Sequence, residues 1–148
     1  MTPTDIRRLT RQDLPQAQAT LRLMHAVFEE PFAQLSDAYV GALLERADFW
    51  LLGAFVGDQP VGGLTAHVLP MTRSESRELF IYDLAVHPDH QRRGIGRALV
   101  EALRALGTAE GIGVAFVPAD NEDEHALAFY EALGGEAAPV TIFTFAVS

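Results

Sequence analysis

Apolar residues recur along the chain at two periods, close to four residues in some stretches and two in others, and these divide it into helices and strands. A short strand is expected near Ile6 to Leu9. Asp13-Leu14-Pro15-Gln16 then reads as a helix start, with Asp13 able to cap, Pro15 tolerated in the first turn and Gln16 three residues on. Ala17, Leu21, Met24 and Phe28 follow at helical spacing, and Pro31 helps stop the run. Ser36 to about Arg46 predicts a second helix, with Tyr39, Leu43 and Leu44 on one stripe.

Strands come next. Phe49 to Val56 and Val61 to Leu69 flank Gly57-Asp58-Gln59-Pro60, a four-residue turn that predicts a hairpin. After a polar loop from Pro70 to Arg77, Glu78 to Val86 is a third strand, interrupted by Asp83. The clearest helix follows: Ile95, Ala98, Leu99, Ala102, Leu103 and Leu106 share one face while Arg97, Glu101 and Arg104 look away, and Gly107 is placed to end it. Val114 to Val117 predicts a short strand. The acidic run Asp120 to Glu124 leads into a helix bearing Ala126, Phe129, Tyr130 and Leu133, closed by Gly134-Gly135. Val140 to Val147 alternates as a last strand. This order predicts one α+β or mixed α/β layer, with no linker or repeat to divide residues 1–148.

Composition sharpens the picture. Among 148 residues, 49% are hydrophobic and 21% charged, enough to build a core and too little charge for global disorder. The chain has no Cys, which removes disulfides, thiolate metal sites and a cysteine nucleophile. Behind Met1-Thr2 there is no apolar run of signal-peptide type, and no stretch has the length of a membrane span. A cytoplasmic protein without a membrane partner is the expectation. Net charge is −9, and every basic residue is Arg. Such an acidic chain is a poor binder of nucleic acid and attracts cationic small molecules.

Local charge runs the other way in one place. Gln91-Arg92-Arg93-Gly94-Ile95-Gly96 joins a strand to the best helix, and Arg97 follows. Its glycines allow a sharp turn and close backbone approach, and the amides of the helix start favour a pyrophosphate. The loop lacks the Gly-Lys-Ser/Thr of a Walker motif, and Leu99 stands where a dinucleotide fingerprint needs Gly or Ala.

The segment Leu84-Ala85-Val86-His87-Pro88-Asp89-His90-Gln91-Arg92-Arg93-Gly94-Ile95-Gly96-Arg97-Ala98-Leu99 resembles the acetyl-CoA motif of the GNAT N-acetyltransferases. Phe129-Tyr130 with Leu133-Gly134 resembles the family's second signature, and element order agrees along the chain. Ile81 to Val86, Ala66-His67-Val68-Leu69-Pro70 and Ala119-Asp120 resemble the aminoglycoside 3-N-acetyltransferase (gentamicin acetyltransferase) branch. Asp123 stands seven residues before Tyr130, where most of the family has Asn.

The resemblance implies a single GNAT-type α/β domain, whose mixed, mostly antiparallel sheet is splayed around an acetyl-CoA cleft with helices on both faces. Acetyl-CoA would be the co-substrate, with the backbone of Leu84, Ala85 and Val86 along its pantetheine arm. Residues Gln91, Arg92, Arg93, Gly94, Ile95, Gly96 and Arg97 would hold the pyrophosphate. Tyr130 would protonate the departing thiolate, since a phenol is neutral and can donate at pH 7. Asp83, a carboxylate in an apolar strand, would bind the acceptor ammonium and take its proton directly or through water. Asp120, Asp123 and Glu124 would face a polycationic acceptor, an aminoglycoside by resemblance, acetylated by direct transfer in a ternary complex. A homodimer is a family expectation.

Alternatives stay open: an acceptor that is another small amine or a protein N-terminus, or a non-catalytic acyl-CoA sensor. The same acidic residues also suit a helix N-terminus. Glu29 and Glu30 are weaker acceptor candidates. His87 and His90 lack a third metal ligand, so no metal is expected. His25 has no evident partner, and His67 is expected to be packed, with a role as an alternative base the second reading.

Overall fold

The computed structural model describes residues 3–29 and 31–148, so Glu30 lies outside the described residues. It forms two compact units, Met1–Pro118 and Ala119–Ser148.

The first unit is a five-stranded sheet in the order β1 (Thr4–Leu9), β2 (Phe49–Val56), β3 (Gln59–Pro70), β4 (Arg77–Val86) and β5 (Ala115–Phe116). Pairing is antiparallel from β1 to β4, and β5 lies parallel to β4. Successive side chains of a strand point to opposite faces, and two adjacent glycines of β3 show what covers each. A Cβ on Gly63 would meet Thr20 and Met24 of α1 (Leu14–Phe28), whereas one on Gly62 would meet Ile95 of α3 (Ile95–Ala109). Helix α2 (Asp37–Glu45) packs beside α1, and together they bury Leu9, Leu21, Met24, Val40, Leu51 and Phe55. Helix α3 lies over the other face through buried Ile95, Leu99 and Leu103.

Local chemistry departs from the expected details. Asp13 does not cap α1: its Oδ2 accepts from Thr10 N at 2.9 Å and Thr10 Oγ1 at 3.1 Å, closing a 3-10 turn over Arg11–Asp13. Ser36 does cap α2, accepting from Tyr39 N at 3.1 Å, but Tyr39 itself is 57% exposed and Val40 takes the core position. The β2–β3 turn is tighter than expected, because Val56 pairs with Gln59 and leaves only Gly57 (φ +61°) and Asp58 between. Gly107 lies within α3, against Leu79, and the helix runs two residues further before Gly111 (φ +75°) turns the chain.

One polar link ties α1 to the start of α2, and a second pair is local to the end of α2. Buried Gln18 donates from Nε2 to Leu35 O at 2.9 Å and Asp37 Oδ1 at 3.2 Å. Arg46 donates through Nε and Nη2 to Asp48 at 2.9 and 3.0 Å, and this hydrogen bonding holds the Asp48 carboxyl below its usual range.

The second unit, taken by itself, contains α4 (Glu124–Ala132). Gly134 has φ +92°, and Gly135 N donates to Tyr130 O at 3.0 Å, so the predicted Gly134-Gly135 stop is observed. Among its described residues no strand is formed over Val140–Val147, where the alternation predicts one. A single alternating segment has no ladder of its own.

Gly63 sits where α1 comes closest to the sheet. Gly63→Ala is expected to cost about 1–3 kcal/mol by overpacking against Thr20 and Met24. Urea unfolding checks this, and an unchanged midpoint would contradict the packing described.

Candidate active site

Strand β4 supplies the first part of the site. One of its edges pairs with β3 from Arg77 to Val86, but β5 pairs with the other only at Leu79 and Phe80. Among the described residues of this unit, the outer edge beyond Phe80 has no strand ladder, which leaves its backbone groups to be satisfied otherwise. The β3–β4 register also shifts: Thr65 pairs with Asp83 while Ala66 pairs with Ile81, so Tyr82 is an extra residue. Such a bulge twists the strand and re-aims its side chains. Tyr82 is 62% exposed, and Asp83 just beyond it is half-buried.

Register assigns Asp83 a face. Gly63 pairs with Ala85 and Thr65 with Asp83, and Gly63 faces α1, so Asp83 and Ala85 lie on the α1 side. His67 on β3 packs between Phe49 and Tyr82, with ring centroids 5.3 and 5.8 Å away. The His25 ring of α1 packs at a tilt against Phe32, with centroids 4.3 Å apart, and its Nδ1 is buried without a hydrogen-bond partner.

The loop after β4 forms the second part. His87 N donates to Val61 O at 2.8 Å, and the His87 Nδ1 accepts from Asp89 N at 3.1 Å, shaping a 3-10 turn over Pro88–His90. Gln91 turns back, donating from Nε2 to Val86 O at 2.9 Å. That contact gives Gln91 a structural task that its motif position alone does not reveal, and it occupies one lone pair of the Val86 carbonyl. Arg92 (φ +62°) and Gly94 (φ +81°) both take left-handed backbone conformations. For Arg92 this is unusual, because a Cβ disfavours that region.

Helix α3 begins directly behind Gly94, which has no side chain with which to cap it. The amides of Ile95 and Gly96 therefore point out of the positive end of a 15-residue helix. Arg92 and Arg93 are exposed beside them, and Arg97 lies 3.9 Å from Glu101. Backbone donors, helix dipole and local cations together suit a phosphate-bearing ligand. Among the described residues no group of three or more His, Asp or Glu side chains is arranged to hold a metal. An apolar groove lined by Ile6, Leu52, Ala102, Ala105 and Leu106, with Arg8, lies between the sheet and α3 and contains none of these residues.

The second unit holds the remaining candidates. Asp123 caps α4, its Oδ1 accepting from Ala126 N at 3.0 Å, and Glu124 occupies the first turn. Asp120 accepts from Glu122 N at 2.9 Å. Both therefore have local structural tasks, as their position before a helix suggests. Tyr130 is half-buried, with its ring 5.1 Å from Phe129. Its backbone is fixed by the Gly135 amide, and a Cβ on Gly135 would lie 3.0 Å from Tyr130 O. Glu29 has a structural part as well: it ends α1 with φ +56°, its N–H donating to Ala26 O at 3.2 Å.

A strand open on one edge, a glycine loop and an uncapped helix start lie next to one another along the chain, and together they suit a long, phosphate-bearing ligand. Residues 8–135 match the model of the acetyltransferase (GNAT) family. The chain belongs to that family and is an acetyl-CoA-dependent N-acetyltransferase.

Its relatives narrow the class. It is 35% identical to an aminoglycoside acetyltransferase from an uncultured soil metagenomic sample, solved with sisomicin, over 98% of this chain and 97% of that one, with a TM-score of 0.93. It is also 37% identical over 57 residues to the [ribosomal protein bS18]-alanine N-acetyltransferase of Escherichia coli (strain K12). That match spans 38% of each protein. At 19% identity, an aminoglycoside N-acetyltransferase solved with CoA shares the fold, with a TM-score of 0.82 over 99% of this chain and 96% of that one.

The cap at Asp123 separates geometry from charge. Asp123→Ala should destabilise the protein by about 1 kcal/mol, whereas Asp123→Asn, which still accepts from Ala126 N, should change stability little. Thermal unfolding of the two variants checks this, and equal losses would contradict the capping role.

Proposed function

We propose that this enzyme acetylates an amino group of an aminoglycoside, at the 3-N position, by direct transfer from acetyl-CoA in a ternary complex. The observation that carries this reading is the 35% identity, across 98% of the chain, to the aminoglycoside acetyltransferase solved with sisomicin. A net charge of −9 supports it, since a polycation is drawn to an acidic enzyme. Residues 1–148 are read as one catalytic domain, working in the cytoplasm as a homodimer.

The donor is held first. The backbone of Leu84, Ala85 and Val86 lies along the open stretch of β4 and can bond an amide-bearing arm as a neighbouring strand would. The loop from Gln91 to Arg97 takes the pyrophosphate. Within it the amides of Gly94, Ile95 and Gly96 donate to the phosphate oxygens, while Arg92, Arg93 and Arg97 supply charge. Gln91 acts through Val86, fixing the loop against the strand.

The acceptor arrives as an ammonium ion, drawn by Asp83, Asp120, Asp123 and Glu124. Asp83 accepts one proton from the ammonium, directly or through an ordered water, and so frees the nitrogen lone pair. That nitrogen bonds to the thioester carbonyl carbon, and a backbone N–H near Leu84 donates to the oxygen that becomes negative. Collapse breaks the carbon–sulfur bond, and the nitrogen releases its second proton to solvent to leave the neutral amide. Tyr130 gives its phenolic proton to the thiolate and later regains one from solvent.

A second reading keeps the chemistry and changes the acceptor to a protein N-terminus. The 37% identity over 57 residues to the bS18-alanine N-acetyltransferase favours it. An acceptor with a single ammonium would depend less on the acidic residues, and its turnover would be less sensitive to salt.

Tyr130→Phe tests the general acid. Turnover should fall by roughly a hundredfold while acetyl-CoA affinity, measured by calorimetry, stays the same. Full turnover at every pH would remove Tyr130 from the mechanism.

A further inference from the structure

The bulge in β4 sets an aromatic ring beside Asp83. In a regular strand Tyr82 and Asp83 would point to opposite faces of the sheet. The register shift takes Tyr82 out of the pairing, so the alternation is interrupted between the two. Asp83 lies on the α1 side, across from Thr65. His67, two residues along β3 from Thr65, lies on that side too, as its packing against the core residue Phe49 confirms. The Tyr82 ring leans on His67 and on Phe80, with centroids 5.8 and 5.7 Å away. A phenol ring and a carboxylate, adjacent in sequence, therefore stand on one face.

That ring is held without being covered. Tyr82 is 62% exposed, although Ile81 before it is buried. The rings it touches are themselves braced: Phe80 stacks on Phe116 at 5.0 Å, and His67 packs on Phe49 at 5.3 Å. Apolar surface left in water contributes nothing to folding, and an exposed bulge position takes a polar residue at no cost to the core. An ammonium is drawn to the face of an aromatic ring as well as to a carboxylate. Carbons bonded to an ammonium nitrogen share its positive charge through their C–H bonds. A saturated ring carrying amines thus presents a flat, weakly positive surface, and the face of a tyrosine matches it in shape and in sign. A peptide terminus carries the charge without that flat surface.

We infer that Tyr82 determines acceptor specificity: its ring is the platform for the saturated ring that bears the reacting amine, with the ammonium turned towards Asp83. This deepens the reading of the enzyme as an aminoglycoside acetyltransferase and rests on it. No bond is made or broken at Tyr82. The contact forms when the acceptor binds and persists as the amine attacks, so it lowers KM and leaves kcat alone.

Thiol release with sisomicin, at saturating acetyl-CoA, compares the wild type with Tyr82→Phe, Tyr82→Leu and Tyr82→Ala. Tyr82→Ala should raise the sisomicin KM about tenfold, with kcat, acetyl-CoA affinity and the unfolding midpoint unchanged. Tyr82→Phe keeps the ring and should recover most of the loss. Tyr82→Leu keeps apolar bulk without an aromatic face, and should lose nearly as much as Tyr82→Ala. A wild-type KM in Tyr82→Ala or Tyr82→Leu would overturn the platform and leave the aminoglycoside reading in place. So would a loss confined to kcat, or a Tyr82→Phe variant as impaired as Tyr82→Ala. No thiol release by the wild type with sisomicin would overturn the aminoglycoside reading itself, and this inference with it. Should Tyr82→Ala fail to fold, Tyr82→Leu against Tyr82→Phe makes the same comparison.

Discussion

Everything in the first unit is arranged around a strand that is paired fully on one side and briefly on the other. Antiparallel bonding to β3 holds β4 along its whole length, and the parallel bonds to β5 stop at Phe80. An open edge is normally a liability, since its amides and carbonyls invite other chains. In a coenzyme A-dependent enzyme the same edge offers a backbone surface on which an amide-bearing arm can lie. The bulge at Tyr82 begins where the second ladder ends, so the change in pairing and the change in side-chain direction occur together.

The loop that follows depends on that strand. Gln91 bonds back to Val86, and His87 bonds across to Val61, so the turn is anchored to both β4 and β3 before α3 begins. Gly94 then enters the helix from a left-handed conformation, with no capping side chain over the first amides. Three arginines gather there in a molecule with net charge −9. That cluster sets a local positive field against the sign of the whole chain. The acidic residues of the second unit meet the needs of α4: Asp123 starts that helix with a hydrogen bond that its charge does not require.

Much of this was legible in the sequence, for physical reasons. The period of Ile95, Leu99 and Leu103 marks α3 because one stripe must be buried, and Gly94 and Gly134 stand where a positive φ is used. The Phe129-Tyr130 helix and its glycine stop read equally well. Other features depend on register or on contacts distant in the sequence, and no local pattern contains them. Tyr82 becomes an extra residue only through the pairing of β4 with β3, and Thr65 becomes a neighbour of Asp83 by the same event. Gly107 looks like a helix stop until Leu79 is packed against it. Asp13 prefers the nearer amide of Thr10 to the helix it precedes. Alternation over Val140–Val147 records a propensity, and a strand is formed only with a partner.

The central claim is that this fold transfers acetyl groups to a polycationic aminoglycoside. It is tested most directly by thiol release from acetyl-CoA with sisomicin, gentamicin, spermidine and an alanine-terminated peptide, at low and high salt. The account predicts saturable release with the aminoglycosides, falling as salt rises, and acetylation of the 3-amino group in the product. Release with the peptide alone would contradict the aminoglycoside assignment and leave the acetyltransferase chemistry in place.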